Sequence, residues 1–254
     1  MVVPIEMEMK YLITGGGSGL TDEAAFEQIL RETKTVDRIN SFDVSSTTRK
    51  ERVHRYFDTF GGDLEKSDIT AYVGPVERSG SSVSAREREN DYAVSVKFHT
   101  SSDGSREQYV FPLPKDTEFD KLDPNTLASF WDPLQTARRI GGGAPLQEVI
   151  RLYVRTHRFD LVQEDPRVEV ALDQVRIEVP FLGQSKSFYE LEVEKRDSGE
   201  RVDVYDICRY FMEKYPKMLV LAPQPKWIKA RQMVRGEEPE HKDPRDVPGL
   251  LVQQ

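Results

Sequence analysis

The sequence predicts a mainly β protein of the α+β class, in which antiparallel strands close into a barrel. Eight stretches alternate apolar and polar residues and are rich in β-branched and aromatic side chains. Clusters of Gly, Ser, Asp and Pro separate most of them. Closing many antiparallel strands into a barrel removes exposed sheet edges. The candidate strands cover residues 4–13, 51–59, 82–89, 92–100, 105–112, 150–162, 167–179 and 187–195.

Few segments have helical spacing. Thr21 is a candidate cap for a helix over residues 21–33, and residues 203–215 repeat apolar side chains on one helical face. A third helix is predicted near residues 124–139. Cys208 lies within the second of these helices, and no Cys-His motif surrounds it. We therefore expect a small, buried apolar residue at this position.

Length and composition restrict the classes of protein. The 254 residues fit one domain over residues 1–234, followed by a charged, proline-bearing tail at 235–254 that we expect to be mobile. The net charge of −8 makes nucleic acid an unlikely main partner. A single cysteine excludes an internal disulfide. With no signal-like start and no apolar run of 18 residues, the sequence predicts a cytoplasmic protein without a membrane partner.

The candidate strands place like charges on one face. In the first strand Glu6, Glu8 and Lys10 alternate with apolar residues, and residues 187–195 do the same with Glu190, Glu192 and Glu194. The other polar faces carry Glu169 and Asp173, Arg86 and Arg88, and Lys97. Like charges crowded on one strand repel one another, so bound cations or a bound polyanion would be needed to compensate them.

Two arrangements are compatible with this pattern. Either the apolar faces fill the barrel and the charges meet solvent, or the charges face inward while helices cover the apolar faces. Burying an unpaired charge costs several kcal/mol. An inward arrangement therefore requires acids, bases, water and ligand to balance one another. Composition alone leaves both arrangements open.

The ordered motifs resemble those of the CYTH superfamily, the triphosphate tunnel metalloenzymes, over roughly residues 4–230. EMEMK at 6–10 resembles the ExExK strand of that family, and YFDT at 56–59 resembles its second-strand motif. REREN, THRFDL, VALDQV, YELEVE and PKW follow in the family's order. The resemblance implies an eight-stranded antiparallel tunnel with a charged interior and helices packed outside. Arg155 and Arg158 both match the inward arginine of the sixth strand.

The resemblance also implies roles for individual residues. Basic side chains can neutralise a triphosphate, and carboxylates suit Mg²⁺ or Mn²⁺. The implied catalytic residues are Glu6, Glu8, Lys10 and Glu192. The implied triphosphate ligands are Lys10, Arg86, Arg88, Lys97, Arg106, Arg158 and Lys226. The implied metal ligands are Glu6, Glu8, Glu190, Glu192, Glu194 and Asp173, with Glu169 as a further candidate.

These residues predict a metal-dependent triphosphatase acting on a small-molecule triphosphate, with inorganic triphosphate favoured over thiamine triphosphate or a nucleoside triphosphate. Class IV-type adenylyl cyclase and RNA 5′-triphosphatase activities are the alternatives, so an RNA 5′ end is a possible partner. A polyphosphate-binding module without activity is the least favoured interpretation. A monomer and a homodimer are both compatible with the sequence.

Overall fold

The secondary structure of the protein comes from a computed structural model, which describes residues 8–67, 69–75, 92–99, 106–114, 117–163, 167–180, 182–195 and 202–246. Glu6, Arg86, Arg88 and the strand predicted at 82–89 lie outside these ranges, as do residues 247–254 of the tail predicted to be mobile. The side chain of Arg106 is also outside the description.

Strands dominate the described residues. They are β1 (Glu8–Ile13), β2 (Arg38–Ile39), β3 (Phe42–Asp58), β4 (Ile69–Pro75), β5 (Tyr92–His99), β6 (Arg106–Pro112), β7 (Gln147–Val162), β8 (Arg167–Val179), β9 (Gln184–Lys195) and β10 (Leu219–Leu221). The helices are α1 (Asp22–Lys34), α2 (Asp63–Lys66), α3 (Pro124–Ala128), α4 (Asp132–Ile140), α5 (Val202–Lys214) and α6 (Lys226–Arg235). Short 3-10 helices cover Phe119–Lys121 and Pro244–Asp246.

The strands form one sheet in the order β10-β1-β9-β8-β7-β3-β4-β5-β6, with β2 paired to β3. The strand pairs whose register is described are antiparallel. The mainly antiparallel β fold with accompanying helices is therefore confirmed. In the described residues the sheet is an open path of strands, and its closure into an eight-stranded tunnel stays a prediction.

The chain divides into two compact units. Unit 1 comprises Met1–Ile5, Arg52–Tyr153 and Ile177–Ser185, and unit 2 comprises Glu6–Glu51, Val154–Arg176 and Lys186–Gln254. Several long strands contribute residues to both units. The single domain predicted over residues 1–234 stays a prediction.

Unit 2 buries the apolar faces of its strands beneath α1 and α5. Thr21 caps α1 as predicted, because its Oγ1 accepts a hydrogen bond from the Ala24 amide at 3.2 Å. Phe26 of α1 and Phe211 of α5 lie in the same buried core as Leu191 of β9. Since side chains alternate across a strand, the charged residues of β1 and β9 lie on the opposite face of the sheet. The arrangement with helices over the apolar faces is therefore correct in unit 2.

Unit 1 has its own core, formed by β4, β5 and the short helices. Val73, Val94 and Val96 pack with Leu134 of α4 in this core. The helix predicted near residues 124–139 is two helices, α3 and α4. Pro133 lies in the first turn of α4, where it cannot donate a backbone hydrogen bond to continue α3.

Helix α6 is absent from the sequence prediction. Its sequence KWIKARQMVR lacks a wide apolar stripe, so periodicity does not reveal it. Gly236 ends the helix in a left-handed conformation with φ 79°. Beyond it, the Lys242 amide donates to the Leu221 carbonyl at 2.9 Å. This part of the predicted tail thus contacts β10. Among the described helices, none has the length and apolar character needed to cross a bilayer.

Cys208 provides a test of the unit 2 core. It is fully buried in α5, as expected, and burial raises the pKa of its thiol to about 12. At pH 8 the folded protein should hold on the order of 10³-fold less thiolate than a thiol of ordinary pKa. We expect a thiol-reactive disulfide reagent to modify Cys208 rapidly in denaturant and very slowly in buffer. Fast stoichiometric modification of the folded protein would contradict this packing.

Candidate functional site

The pairing of β1 with β9 brings oppositely charged residues together. Lys10 lies directly opposite Glu192, and Glu8 lies opposite Glu194. Directly opposed residues share a sheet face. The Lys10 ammonium lies 2.8 Å from Glu8 Oε1 and 3.3 Å from Glu192 Oε1. The alternation of charged and apolar residues thus brings Glu8, Lys10 and Glu192 into direct ionic contact.

Lys226 joins this set from the first turn of α6. Its ammonium lies 2.5 Å from Glu192 Oε1, 2.9 Å from Asp173 Oδ2 and 3.4 Å from Glu190 Oε2. These three carboxylates come from β8 and β9. One lysine therefore bridges both acidic strands, and this bridge reduces the repulsion among their side chains.

Lys229 is a member of the site that the sequence analysis missed. It lies three residues after Lys226, so the two lysines share a helix face. Lys229 is 0% exposed, forms an ion pair with Glu190, and donates a hydrogen bond to the Ala222 carbonyl at 3.0 Å. The spacing of the two lysines in PKWIKA is the only sequence signal, because an isolated lysine in a polar helix usually meets solvent.

We call the seven residues around these contacts the lysine–carboxylate cluster. Its members, all in unit 2, are Glu8, Lys10, Asp173, Glu190, Glu192, Lys226 and Lys229.

Electrostatic contacts keep Lys10, Lys226 and Glu192 of this cluster charged. Burial lowers the pKa of Lys10, but the carboxylates of Glu192 and Glu8 outweigh it and raise the pKa above the usual value. Burial also lowers the pKa of Lys226, but the negative charges of Asp173 and Glu192 outweigh this effect, so the pKa of Lys226 lies well above the usual value. Burial raises the pKa of Glu192, yet Lys10 and Lys226 hold it below the usual range. These three side chains are therefore ionised near neutral pH.

Burial has a larger effect on the pair of Glu190 and Lys229. Both side chains are 0% exposed. Burial raises the pKa of Glu190 against the opposing charges of Lys226 and Lys229. It also lowers the pKa of Lys229 against the opposing charge of Glu190. Each group thus depends on its partner to remain charged away from water.

Three carboxylates of the cluster have the arrangement of a metal site. One oxygen each from Asp173, Glu190 and Glu192 lies within 4.8 Å of the others. Oδ1 of Asp173 is buried and has no hydrogen-bond partner in the described part of the chain. A buried carboxylate oxygen without a donor is poorly solvated, and a hard divalent cation would satisfy it. The donor set therefore fits Mg²⁺ or Mn²⁺.

The remaining predicted carboxylates lie near the same strands. Glu194 faces Glu8 across the β1–β9 pair, and both side chains are partly exposed. Glu6 lies outside the described residues. Asp173, Glu190 and Glu192 of the predicted set lie together, and metal binding by all six predicted ligands, Glu6, Glu8 and Glu194 included, stays a prediction.

The two arginines left open by the sequence lie in different surroundings. Arg158 lies 2.7 Å from Glu169 Oε2 and 3.0 Å from Asp160 Oδ1. Arg155 instead contacts Glu51 and donates to Gln174 Oε1 at 3.2 Å. Glu169 shares its strand face with Asp173, whereas Gln174 is on the other face. Arg158 is therefore the arginine on the acidic face of β8.

Two further predicted cations belong to unit 1. The Lys97 ammonium lies 5.7 Å from the centre of the Tyr72 ring, a cation–π contact. The backbone of Arg106 begins β6 and pairs with His99. Their binding of a triphosphate, like that of Arg86 and Arg88, stays a prediction.

The cluster can bind a divalent cation and a polyanion at once. Its carboxylates supply oxygen ligands, and Lys10 and Lys226 supply ammonium groups that are neither fully exposed nor fully buried. A surface carrying only carboxylates would repel phosphate, and one carrying only lysines would bind no metal. The mixture of both on one sheet face is suited to a metal–phosphate complex.

Comparison with known proteins supports the fold. Neither a sequence model of any known protein family nor any curated protein matches the chain. One matching solved structure is HpAC1 from Hippeastrum, which is described as a candidate adenylyl cyclase with a dominant triphosphatase activity. It matches with a TM-score of 0.54 and 16% sequence identity, and the match covers 94% of this chain and 100% of HpAC1. A candidate adenylate cyclase from Bacillus halodurans matches with a TM-score of 0.51 and 17% identity, covering 89% and 96%. The chain therefore shares its fold with these two structures.

Proposed function

We propose that the protein is a divalent-metal-dependent triphosphatase that hydrolyses the terminal phosphoanhydride of a triphosphate. Inorganic triphosphate is the favoured substrate, ahead of thiamine triphosphate and nucleoside triphosphates. The observation that carries this proposal is the lysine–carboxylate cluster, in which Asp173, Glu190 and Glu192 converge beside Lys10 and Lys226. A purely structural ion-pair network would not need a buried carboxylate oxygen without a donor.

The three converging carboxylates would hold Mg²⁺ or Mn²⁺. When bound, such a metal neutralises phosphate charge and lowers the pKa of a coordinated water. Glu192 is ionised through its contacts with Lys10 and Lys226, so this ligand is ready to accept a cation without losing a proton. Asp173 would bind the metal through Oδ1, because Lys226 contacts its other oxygen, Oδ2.

Lys10 and Lys226 would bind the phosphates. Both remain charged because neighbouring carboxylates raise their pKa values. Phosphate oxygens would replace carboxylate oxygens as the partners of these lysines if a bound metal offset part of the negative charge of the carboxylates. Phosphoryl transfer depends mainly on positioning and charge neutralisation, so these residues can act without a protein nucleophile. The further cations proposed to bind the substrate are Arg86, Arg88, Lys97, Arg106 and Arg158.

The solved structures support this choice of chemistry. HpAC1, which shares the fold, is described as having a dominant triphosphatase activity. The second candidate is an adenylyl cyclase, since both matched structures are described as candidates for that activity. In a cyclase the ribose hydroxyl attacks and pyrophosphate leaves, whereas a triphosphatase releases orthophosphate. No described residue has been identified as a reader of adenine, so the triphosphatase is favoured.

The function is tested with a panel of substrates. The purified protein is incubated with inorganic triphosphate, thiamine triphosphate or ATP, each with Mg²⁺ or Mn²⁺ and each with a chelator. We expect metal-dependent release of orthophosphate, fastest from inorganic triphosphate. Cyclic AMP and pyrophosphate from ATP would favour the cyclase, and the absence of any product from all three would refute an enzyme of this class.

Glu192 links the metal ligands to both lysines, so its charge should be essential. We expect Glu192→Gln to lower metal-dependent turnover by about 10²-fold or more, because it removes a carboxylate ligand and leaves the positive charges of Lys10 and Lys226 less well compensated. Glu213→Gln, an exposed position on α5, is the matched control and should retain full activity. Circular dichroism would verify the fold of both variants. A folded Glu192→Gln variant with near-normal turnover would show that the site is misplaced.

A further inference from the structure

Lys229 occupies a different position from the lysines that could reach a substrate. Its side chain is 0% exposed, whereas that of Lys226 is 18% exposed and that of Lys10 is 13% exposed. A phosphate would have to displace protein to contact Lys229. The role of this lysine must therefore be exerted through the groups that it touches.

The contacts of Lys229 hold it firmly in place. Its ammonium donates to the Ala222 carbonyl at 3.0 Å, and the Ala222 amide in turn donates to the Lys10 carbonyl at 2.9 Å. Lys229 is therefore anchored to backbone that is itself bonded to β1. From this fixed point it contacts one oxygen of Glu190, Oε1.

The two oxygens of Glu190 thus have separate partners. Oε1 faces Lys229, and Oε2 lies 3.4 Å from Lys226. Lys226 also contacts Asp173 and Glu192, the other two converging carboxylates. The Oε2 side of Glu190 therefore opens towards the candidate metal ligands, while the Oε1 side is closed by a fully buried cation.

We propose that Lys229 is a positioning residue that keeps Oε1 of Glu190 occupied, so that Glu190 offers a single oxygen, Oε2, to a divalent metal. This inference rests on the proposed function, because it assumes that Asp173, Glu190 and Glu192 bind the metal. Its physical basis is that Lys229 is buried and anchored at the Ala222 carbonyl, so a cation at Oε1 would meet a fixed ammonium, whereas Lys226 beside Oε2 is partly exposed and can turn to a phosphate.

Single-oxygen binding by Glu190 affects the choice of metal. Mg²⁺ favours octahedral geometry with a few single-oxygen carboxylate ligands, and Mn²⁺ likewise suits octahedral oxygen sites. Ca²⁺ accepts more ligands and readily takes both oxygens of one carboxylate. Lys229 would therefore favour small divalent cations such as Mg²⁺ and Mn²⁺ over Ca²⁺.

The inference is tested by calorimetric titration of the folded protein with Mn²⁺ and with Ca²⁺. We expect Lys229→Met to weaken Mn²⁺ binding by about 10–100-fold, the usual effect of losing a partner that orients a metal ligand, and to reduce the preference for Mn²⁺ over Ca²⁺. Lys229→Arg, which keeps a charged donor, should recover much of the preference. Lys217→Met, at an exposed position, is the matched control and should bind as the unmodified protein does.

The outcomes separate this inference from the proposed function. A folded Lys229→Met variant with unchanged Mn²⁺ affinity and unchanged selectivity would overturn the role of Lys229 alone. If the unmodified protein binds no Mn²⁺, the metal site and the role of Lys229 both fail. If metal binding responds to Lys229 as expected but no triphosphate is hydrolysed, the inference stands and the proposed activity is wrong.

Lys229 is buried, so Lys229→Met could fail to fold. A crystal structure of the unmodified protein grown with Mn²⁺ then decides the matter. Coordination of Mn²⁺ by Oε2 of Glu190, with Lys229 at Oε1, would support the inference. Coordination through both oxygens, or through Oε1, would overturn it.

Discussion

The site depends on the balance of charge between the acidic face of β8 and β9 and the lysines that meet it. Three carboxylates within 4.8 Å would repel one another strongly if nothing opposed them. Lys226 contacts all three carboxylates. Lys10 also neutralises part of the charge of Glu192, and Lys229 does the same for Glu190. The same contacts that allow the carboxylates to converge leave one Asp173 oxygen without a donor. Stability and ligand binding are thus coupled, because a cation at this position would complete the balance that the lysines achieve only in part.

Strand alternation separates the structural and chemical roles of each strand in unit 2. On β9, Leu191 packs into the core beneath α1 and α5, while its neighbours Glu190 and Glu192 face the lysines. A register shift of one residue would exchange these faces, so the hydrophobic core also fixes which residues reach the site. Burial of the apolar face beneath the helices therefore also holds the charged face in position.

Much of this arrangement is predictable from local spacing. The period of two in IEMEMK and YELEVE is enough to place Glu8 with Lys10 on one face of β1 and Glu190 with Glu192 on one face of β9, and the apolar face of residues 203–215 is enough to predict α5. Lys229 and helix α6 escape prediction because the burial of Lys229 depends on Glu190 and Ala222, which are distant in sequence. The choice between Arg155 and Arg158 likewise requires the neighbouring strand, since only contacts with Gln174 and Glu169 distinguish their faces. Local sequence patterns thus predict which residues share a face of one strand or helix, whereas the contacts between side chains of different elements depend on the tertiary structure.

The backbone of Ala222 joins β1 to α6 through the Lys10 carbonyl and the Lys229 ammonium. Residues separated by more than half of the chain must therefore meet before the charges are balanced. During synthesis on the ribosome, the carboxylates of β8 and β9 emerge before the two lysines of α6. Until those lysines arrive, Lys10 is the one lysine of the cluster available to the acidic face of β8 and β9, so the charge balance of the site is complete only after α6 has been synthesised.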